Sequence, residues 1–282
     1  MEHAGQHSTN HERMGTAVMA ELFEAIGFDV PDEDSYNLLA EYAETSGERS
    51  HVHRGTATLH GRCWKLGEGL EVWSIVYDGA SQLYYADCRP AFRSRYIRTV
   101  HPWELIEYDE DGEAIVRSRI RDSTEVVFEL QNLTELNHAA FREPQLQVAV
   151  AGLAYTAALQ PPGSRRAPAP RFEPAEKDPS FGRDACENDY VVSGTLLAWR
   201  EMQNRVTGSS LIWIYVDARD IRLEVLVSRR VLKGEPAIGA TITARVWLQG
   251  HVLEGAEIAA RYEGVDRECE PSDFWSRLRR SN

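Results

Sequence analysis

The spacing of apolar residues near the N-terminus predicts two short amphipathic helices. The first has apolar residues at helical spacing, namely Met14, Val18, Leu22 and Ile26. Gly27 is placed to end this helix. A second helix follows Pro31, with Asp32 or Ser35 as its N-cap and Gly47 at its end. Together the two patterns predict a helical hairpin.

From about residue 51 the apolar period changes to two, and segments rich in β-branched and aromatic residues alternate with turn signals. The predicted strands span about 51–60, 69–77, 82–88, 94–100, 103–109, 114–121, 124–130 and 145–155. Asp111 and Gly112 predict a two-residue hairpin turn, which would place Glu104 opposite Arg119 as a cross-strand ion pair. We therefore expect an antiparallel β-sheet or barrel after the helices.

A proline-rich segment divides the chain. Residues 160–187 contain little that could form a core, which predicts a semi-extended linker. The strands predicted beyond it span about 190–199, 211–217, 221–228 and 241–252, followed by a helix over about 272–280. The predicted organisation is a disordered lead over 1–12, a first domain over 13–159, the linker, and a second domain over 188–282.

The second predicted domain resembles an oligonucleotide/oligosaccharide-binding (OB) barrel. A long first strand, a hairpin and a third strand precede "LKGEPAIGATITARVWLQGHV", in which Pro236 to Gly239 form a turn before a fourth strand. The resemblance covers residues 188–255 and lacks a clear helix between the third and fourth strands. The predicted fold class is α+β and mainly antiparallel β. It combines a helical hairpin and β-sheet or barrel domain with a small OB-like β-barrel and a C-terminal helix.

Charge is unevenly distributed along the 282 residues, whose net charge is −13. Residues 1–143 hold 13 Lys/Arg against 26 Asp/Glu, which leaves 18 against 18 for residues 144–282. This balance argues against general binding to nucleic acids or anionic membranes, although it permits a local basic groove. Almost all the cations are arginines, a composition that we interpret as typical of a GC-rich bacterial genome.

Cysteine usage and hydropathy predict a cytoplasmic protein. The four cysteines lie 25 to 98 residues apart and form no C-x-x-C pair, which favours reduced thiols over a secreted disulfide framework. The N-terminal segment lacks the apolar core of a signal peptide, and the longest apolar stretch, residues 148–159, is too short to cross a bilayer. We therefore expect no membrane association.

Three histidines and a cysteine lie within "SHVHRGTATLHGRCW". Strand alternation places His51 and His53 on one face and His60 on the other, unless a bulge or turn at Gly55 intervenes. A bent hairpin could bring Cys63 near the first two, but three ligands without a fourth make only a partial zinc site. The sequence therefore predicts exposed histidines on a strand, with no metal site and no cofactor.

Arginines and aromatic residues alternate in "DCRPAFRSRYIRTVH". Arg93 and Arg95 would share one strand face, with Tyr96 and Arg98 on the other. Such a pattern can stack on bases or clamp a phosphate or carboxylate. Cross-strand pairing of these arginines with carboxylates is the structural alternative.

The strand around Trp213 is apolar on both faces, because Leu211, Trp213 and Tyr215 alternate with other large apolar residues. In an OB-like barrel the outer face of the second and third strands is the usual ligand platform, which would expose Trp213, Tyr215 and Arg222 to a ligand. Alternatively, both rings are buried under the C-terminal helix with Trp275, or against the first domain.

No catalytic template is present, since the chain lacks G-x-S-x-G, Walker, G-x-G-x-x-G and H-E-x-x-H motifs. The favoured hypothesis is a non-enzymatic binding or scaffold module whose ligand, a protein or nucleic acid, contacts a barrel surface or the inter-domain groove. The alternatives are an enzyme that clamps a small anionic substrate with arginines, and a homo-oligomer that buries the two-faced strand. The candidate ligand-binding residues are Arg93, Arg95, Arg98, Trp213, Tyr215 and Arg222.

Overall fold

The computed structural model describes residues 19–80, 83–120, 124–136, 138–178, 185–219 and 221–253. The predicted lead over 1–12 and the predicted C-terminal helix over 272–280 lie outside these residues.

Two helices precede the sheets, as the sequence predicts. Helix α1 covers residues 19–25 of the described chain and is followed by Gly27, whose φ is 88°. Helix α2 spans Glu33–Ser46, and the Asp32 carboxylate caps it by accepting the backbone N–H of Ser35 at 2.8 Å. Within the described residues, neither helix is long and apolar enough to cross a membrane.

The first sheet contains four antiparallel strands in the order β1-β2-β3-β4. Their bounds are β1 Glu48–Arg54, β2 Ala57–Gly67, β3 Leu70–Asp78 and β4 Leu83–Phe92. The single strand predicted over 51–60 is wrong, because the chain turns at Gly55, where φ is 56°. β1 and β2 therefore form a hairpin in which His51 lies directly opposite His60.

The second sheet contains the remaining ten strands. In chain order they are β5 Ile97–Tyr108, β6 Glu113–Ile120, β7 Thr124–Leu130, β8 Leu146–Gln160, β9 Arg171–Pro174, β10 Asp189–Gln203, β11 Ser210–Ala218, β12 Ile221–Ser228, β13 Leu232–Lys233 and β14 Thr241–Leu253. The two strands predicted over 94–100 and 103–109 are one continuous strand, β5. The fold is thus mostly β, with antiparallel and mixed pairing.

This second sheet closes on itself twice. The first ring runs from β5 through β6 and β7 to β14, and then through β8 back to β5. The second ring runs from β10 through β11 and β12 to β8, and then through β14 back to β10. Because the β8–β14 pair belongs to both rings, two five-stranded rings share one long antiparallel ladder.

The two rings are related by an approximate internal two-fold symmetry. In each ring, three strands form an antiparallel meander, and the third strand then runs parallel to a long strand from the other half of the chain. Glu129 of β7 pairs with Gln249, and Glu224 of β12 pairs with Ala151. Ala151 and Gln249 also pair with each other in the shared ladder. Glu129 and Glu224 therefore occupy equivalent positions in the two rings.

Strands from both sides of the predicted linker belong to this sheet. β8 precedes the linker and pairs with β14 over residues 147–160, and β9 lies within the predicted linker and pairs with β10. The division into domains over 13–159 and 188–282 stays a prediction.

The predicted pairing across the β5–β6 hairpin is wrong. A 3₁₀ turn over Asp109–Asp111 and a bulge between Pro102 and Glu104 shift the register, so that Glu104 lies opposite Arg117 and forms an ion pair with it. Arg119 lies opposite His101 and forms an ion pair with Glu125 of β7.

Two apolar cores are formed by opposite faces of the same strands. The larger cluster includes Phe128, Ile214, Val225 and Val246, which come from both rings. The second cluster joins the other face of β11 to α1, α2 and the first sheet. The two-faced apolar pattern of β11 is thus explained by burial on both sides.

Replacement of Gly250 by alanine is expected to lower the free energy of unfolding by about 1–3 kcal/mol, because a Cβ there would overlap the buried Phe128 ring. Gly152→Ala is the matched control in the shared ladder. Its Cβ would lie 3.0 Å from Val246 Cβ, a milder contact, so a smaller loss is expected. Urea denaturation measures both, and an equal or larger loss at Gly152 would contradict the packing described above.

Candidate functional site

Five of the six predicted ligand-binding residues lie around one surface of the second ring. The outer face of β11 and β12 carries Trp213, Tyr215 and Arg222. The segment between β4 and β5, residues 93–96, lies against this face and brings Arg95 to it, while Arg98 follows at the start of β5. Long-range contacts over more than 100 residues in sequence therefore assemble the cluster.

Arg93 points to a different place. Its Nε lies 2.8 Å from Glu71 Oε1, and the same carboxylate accepts the indole N–H of Trp73 at 3.1 Å. The predicted face assignment for this stretch is wrong, since residues 93–96 are irregular and β5 begins only at Ile97. A cross-strand carboxylate thus accounts for Arg93, as the structural alternative proposed.

Glu224 anchors the crossing segment. Its Oε1 accepts the backbone N–H groups of Arg95 at 2.9 Å and Tyr96 at 2.7 Å, and its Oε2 accepts the indole N–H of Trp213 at 2.7 Å. Glu224 is only 1% exposed. Burial raises the pKa of this carboxyl, while the hydrogen bonds from Trp213, Ser94, Tyr96 and Arg95 oppose the increase.

The aromatic rings of the cluster are buried under this segment. Trp213 is 2% exposed and Tyr215 is 1% exposed, so both rings are buried, as the alternative interpretation of this strand predicted, and are not open to a ligand. The two rings are nearly parallel at 6.4 Å, and Tyr96 packs on Tyr215 at 5.4 Å. The chain's own Tyr96 therefore takes the place that a stacked base would occupy on an exposed platform, and the ligand-binding role of both rings stays a prediction.

Four arginines surround these rings, and we call them the arginine rim: Arg95, Arg98, Arg200 and Arg222. The Arg98 guanidinium lies 4.6 Å from the centre of the Tyr96 ring, and that of Arg200 lies 5.8 Å from the Trp213 ring. Both distances fall within cation–π range. The rim side chains are buried or half-buried. Their charges therefore interact more strongly with one another than charges in bulk water do.

Two of the rim arginines, Arg95 and Arg200, are close enough for their positive charges to affect each other. Burial lowers the pKa of Arg200, and the positive charge of Arg95 lowers it further, against the opposing charges of Glu68 and Glu224. Among the described residues, Arg200 forms an ion pair with Glu68 at 3.5 Å, and Arg222 forms one with Asp217 at 3.7 Å. Since the Glu224 oxygens already accept three N–H groups, an anion beside Arg95 and Arg200 would relieve their mutual repulsion.

A separate cleft of about 440 Å³ lies at the end of this face where β11 begins and β12 ends. Its charged lining groups are already paired: Arg230 Nε lies 3.3 Å from Glu24, and Arg229 forms an ion pair with Glu235. The cleft residues are Glu24, Gly27, Phe28, Asp29, Ser209, Ser210, Ser228, Arg229 and Arg230.

Among the described residues, the thiols of Cys63 and Cys88 are not activated and no set of metal-ligating side chains has converged. Cys63 and Cys88 are buried, and burial raises the pKa of both thiols, which disfavours the thiolate that a nucleophile requires. In the described part of the chain, no group of three or more His, Cys, Asp or Glu side chains is arranged to hold a metal ion as it stands.

Comparisons with known proteins give a partial match and no activity. Residues 182–250 match a family described as "Domain of unknown function, E. rectale Gene description (DUF3881)". The matched residues contain β10 to β13 and most of β14. No curated protein and no protein of solved structure matches the chain.

Sequence reasoning missed Arg200 and Glu224 as members of the cluster. Arg200 lies directly opposite Trp213 in the β10–β11 ladder, so a register derived from that hairpin could have indicated it. Glu224 is the one acid within the apolar stretch of β12. A single carboxylate in such a strand indicates that it is buried and accepts hydrogen bonds from buried donors.

Proposed function

We propose that this protein is a non-enzymatic binding module that recognises a phosphate-bearing ligand at the arginine rim. The observation that carries the proposal is the position of Arg200, whose guanidinium lies 5.8 Å from the Trp213 ring and 3.5 Å from the Glu68 carboxylate. Burial and the positive charge of Arg95 lower the pKa of Arg200. Guanidinium groups bind phosphate oxygens in a fixed fork geometry, and aromatic neighbours orient them. Nucleic acids, one of the two ligand classes predicted from the sequence, present phosphate along their backbone.

We further propose that the second ring is an OB-like barrel with a rearranged fifth strand. Its meander β10-β11-β12 and the return of β14 to β10 follow the strand order of such barrels. The fifth position, parallel to the third strand, is taken by β8 from before the linker. In OB barrels, the face of the second and third strands binds ligands, and this is the face that the rim surrounds.

The enzymatic alternative has weaker support. The titratable group at the centre of the rim, Glu224, has both oxygens engaged by N–H donors and is almost fully buried. A cytoplasmic location is part of the proposal, and it is supported by the free thiols of Cys63, Cys88 and Cys186.

A binding titration tests the rim directly. We expect a short dye-labelled single-stranded oligonucleotide to bind the full chain at low salt, with fluorescence anisotropy as the readout. The double variant Arg95→Gln with Arg200→Gln is expected to weaken binding at least about tenfold, because it removes two charge contacts. Inorganic pyrophosphate as competitor shows whether phosphate alone occupies the site.

Arg119→Gln is the matched control for this titration. Arg119 also lies over an indole, at 5.1 Å from the Trp103 ring, but it is exposed on β6 and forms an ion pair with Glu125. Its loss is expected to leave the affinity within about twofold, well under the tenfold that 1.4 kcal/mol represents. Equal weakening by the control and the double variant, or no binding by the unmodified chain, would refute the rim as the binding site.

A further inference from the structure

The β1–β2 hairpin places three histidines together on one face of the first sheet. His51 and His53 are two residues apart on β1, and His60 of β2 lies directly opposite His51. Residues two apart in a strand and directly opposite residues in neighbouring strands share a face. The turn at Gly55 thus unites histidines that a single straight strand would have separated.

The two ring separations that involve His51 are longer than those of imidazoles that share one metal ion. The ring centroid of His51 lies 5.4 Å from that of His53 and 6.4 Å from that of His60. Since Zn–N bonds are about 2.0–2.1 Å, two imidazoles on one tetrahedral Zn²⁺ have centroids about 5 Å apart. The side chains have not converged, and a rotation of these exposed or half-exposed rings between rotamers is the movement that closes the gap.

Two further side chains on this face orient the histidines as ligands. The Thr58 hydroxyl lies 3.0 Å from His53 Nδ1, which leaves Nε2 to carry the metal. The Asp78 carboxylate lies 3.5 Å from His60 Nε2, which leaves Nδ1. Thr58 is paired with both His53 and Asp78 in the ladders, so all three lie side by side. Partners that hold the second ring nitrogen are typical of metal-binding histidines.

We propose that His51, His53 and His60 form a surface site for Zn²⁺, with Thr58 and Asp78 orienting His53 and His60. Solvent occupies the fourth position, because the face is open at this end of the sheet. The neighbouring Arg49–Arg62 pair disfavours cations that bind by charge alone. The site therefore selects a borderline-soft ion that prefers imidazole nitrogen over hard ions such as Mg²⁺.

The test must separate this site from the N-terminal histidines, since His3, His7 and His11 also lie in the chain. Isothermal titration with Zn²⁺ is therefore performed on the full chain with these three replaced by glutamine. We expect one Zn²⁺ to bind in this background and Mg²⁺ to give no heat. His51→Gln, at the centre of the trio, is expected to weaken Zn²⁺ binding by more than about tenfold, and Thr58→Val by about tenfold.

His101→Gln is the matched control, because His101 is an exposed histidine of β5, outside the trio. It is expected to leave the Zn²⁺ affinity unchanged. Binding that persists in both His51→Gln and His60→Gln, or that disappears when only the N-terminal histidines are replaced, overturns the site. Circular dichroism of the surface variants verifies that they remain folded.

Discussion

Replacement of Glu224 by alanine is expected to lower the free energy of unfolding by at least about 3 kcal/mol. The carboxylate accepts the backbone N–H groups of Arg95 and Tyr96 and the indole N–H of Trp213. Without it, the Arg95 N–H and the Trp213 indole N–H would lose this acceptor, and the Tyr96 N–H would retain only the Ser94 hydroxyl at 3.0 Å. Each buried unsatisfied donor costs about 1–3 kcal/mol. The crossing segment over 93–96 would also lose its attachment to β12, so a red shift of tryptophan emission should accompany the loss.

Two control variants separate the hydrogen bonds from the charge. Glu224→Gln keeps one carbonyl oxygen for the backbone N–H groups but turns an amide donor toward the Trp213 indole, so an intermediate loss is expected. Glu201→Ala removes an exposed carboxylate from β10 and should change stability by less than about 0.5 kcal/mol. A loss below about 1 kcal/mol for Glu224→Ala, measured by urea denaturation, would show that Glu224 does not anchor the segment.

The sequence predicts strands well where apolar alternation is local. The four strands predicted in the second half correspond to β10, β11, β12 and β14, because each is bounded by strong turn residues. It does not predict the parallel pairing of β8 with β12 or of β7 with β14, since these ladders depend on tertiary packing across the whole chain. Local turn conformation also decided the β5–β6 register, where a 3₁₀ turn replaced the expected two-residue turn.

The sequence indicated candidate residues of the site, but it did not indicate how deeply their side chains are buried. Arginine beside aromatic residues singled out Arg95 and Arg98 in one stretch and Arg222 in another as separate candidates, and only the structure shows that Arg98 and Arg222 both lie close to Tyr215. The pattern could not reveal that Tyr96 covers the rings, because that depends on the acceptor supplied by Glu224 from another strand. Strand parity left two arrangements of the histidines open, and the turn at Gly55 is the one that brings His60 to the face of His51 and His53.

The position equivalent to Glu224 in the first ring has a different environment, and it predicts a pH dependence of stability. Glu129 and Asp87 both contact Arg89, at 3.0 Å and 3.3 Å, and Glu113 lies nearby, so three buried carboxyls surround one buried guanidinium. Burial raises the pKa of Glu129 to about 8 even though Arg89 opposes the shift. Burial and the charges of Glu129 and Asp87 raise the pKa of Glu113 as well. At least one proton is therefore held in this cluster at neutral pH.

This proton contributes to the stability of the folded state, and the contribution decreases as the pH rises. In the unfolded chain the same carboxyls titrate near their ordinary value of about 4.3, so above that pH the folded protein binds more protons than the unfolded one. The contribution is complete below the unfolded pKa and is lost as the pH rises through about 8, the folded pKa of Glu129. The free energy of unfolding is thus expected to fall by up to about 1.4 kcal/mol per pH unit for each retained proton.

Urea denaturation between about pH 5 and pH 8.5 measures how the free energy of unfolding changes with pH. This range covers most of the interval between the unfolded and folded pKa values of Glu129. Glu113→Gln imitates the protonated carboxyl and removes one negative charge beside Glu129, so the curve of this variant should be flatter than that of the unmodified chain. Glu125→Gln changes an exposed carboxylate on the same strand as Glu129 and should keep the original slope. If the free energy of unfolding instead rises over this interval, the buried carboxyls are ionised in the folded state, and Arg89 outweighs their burial.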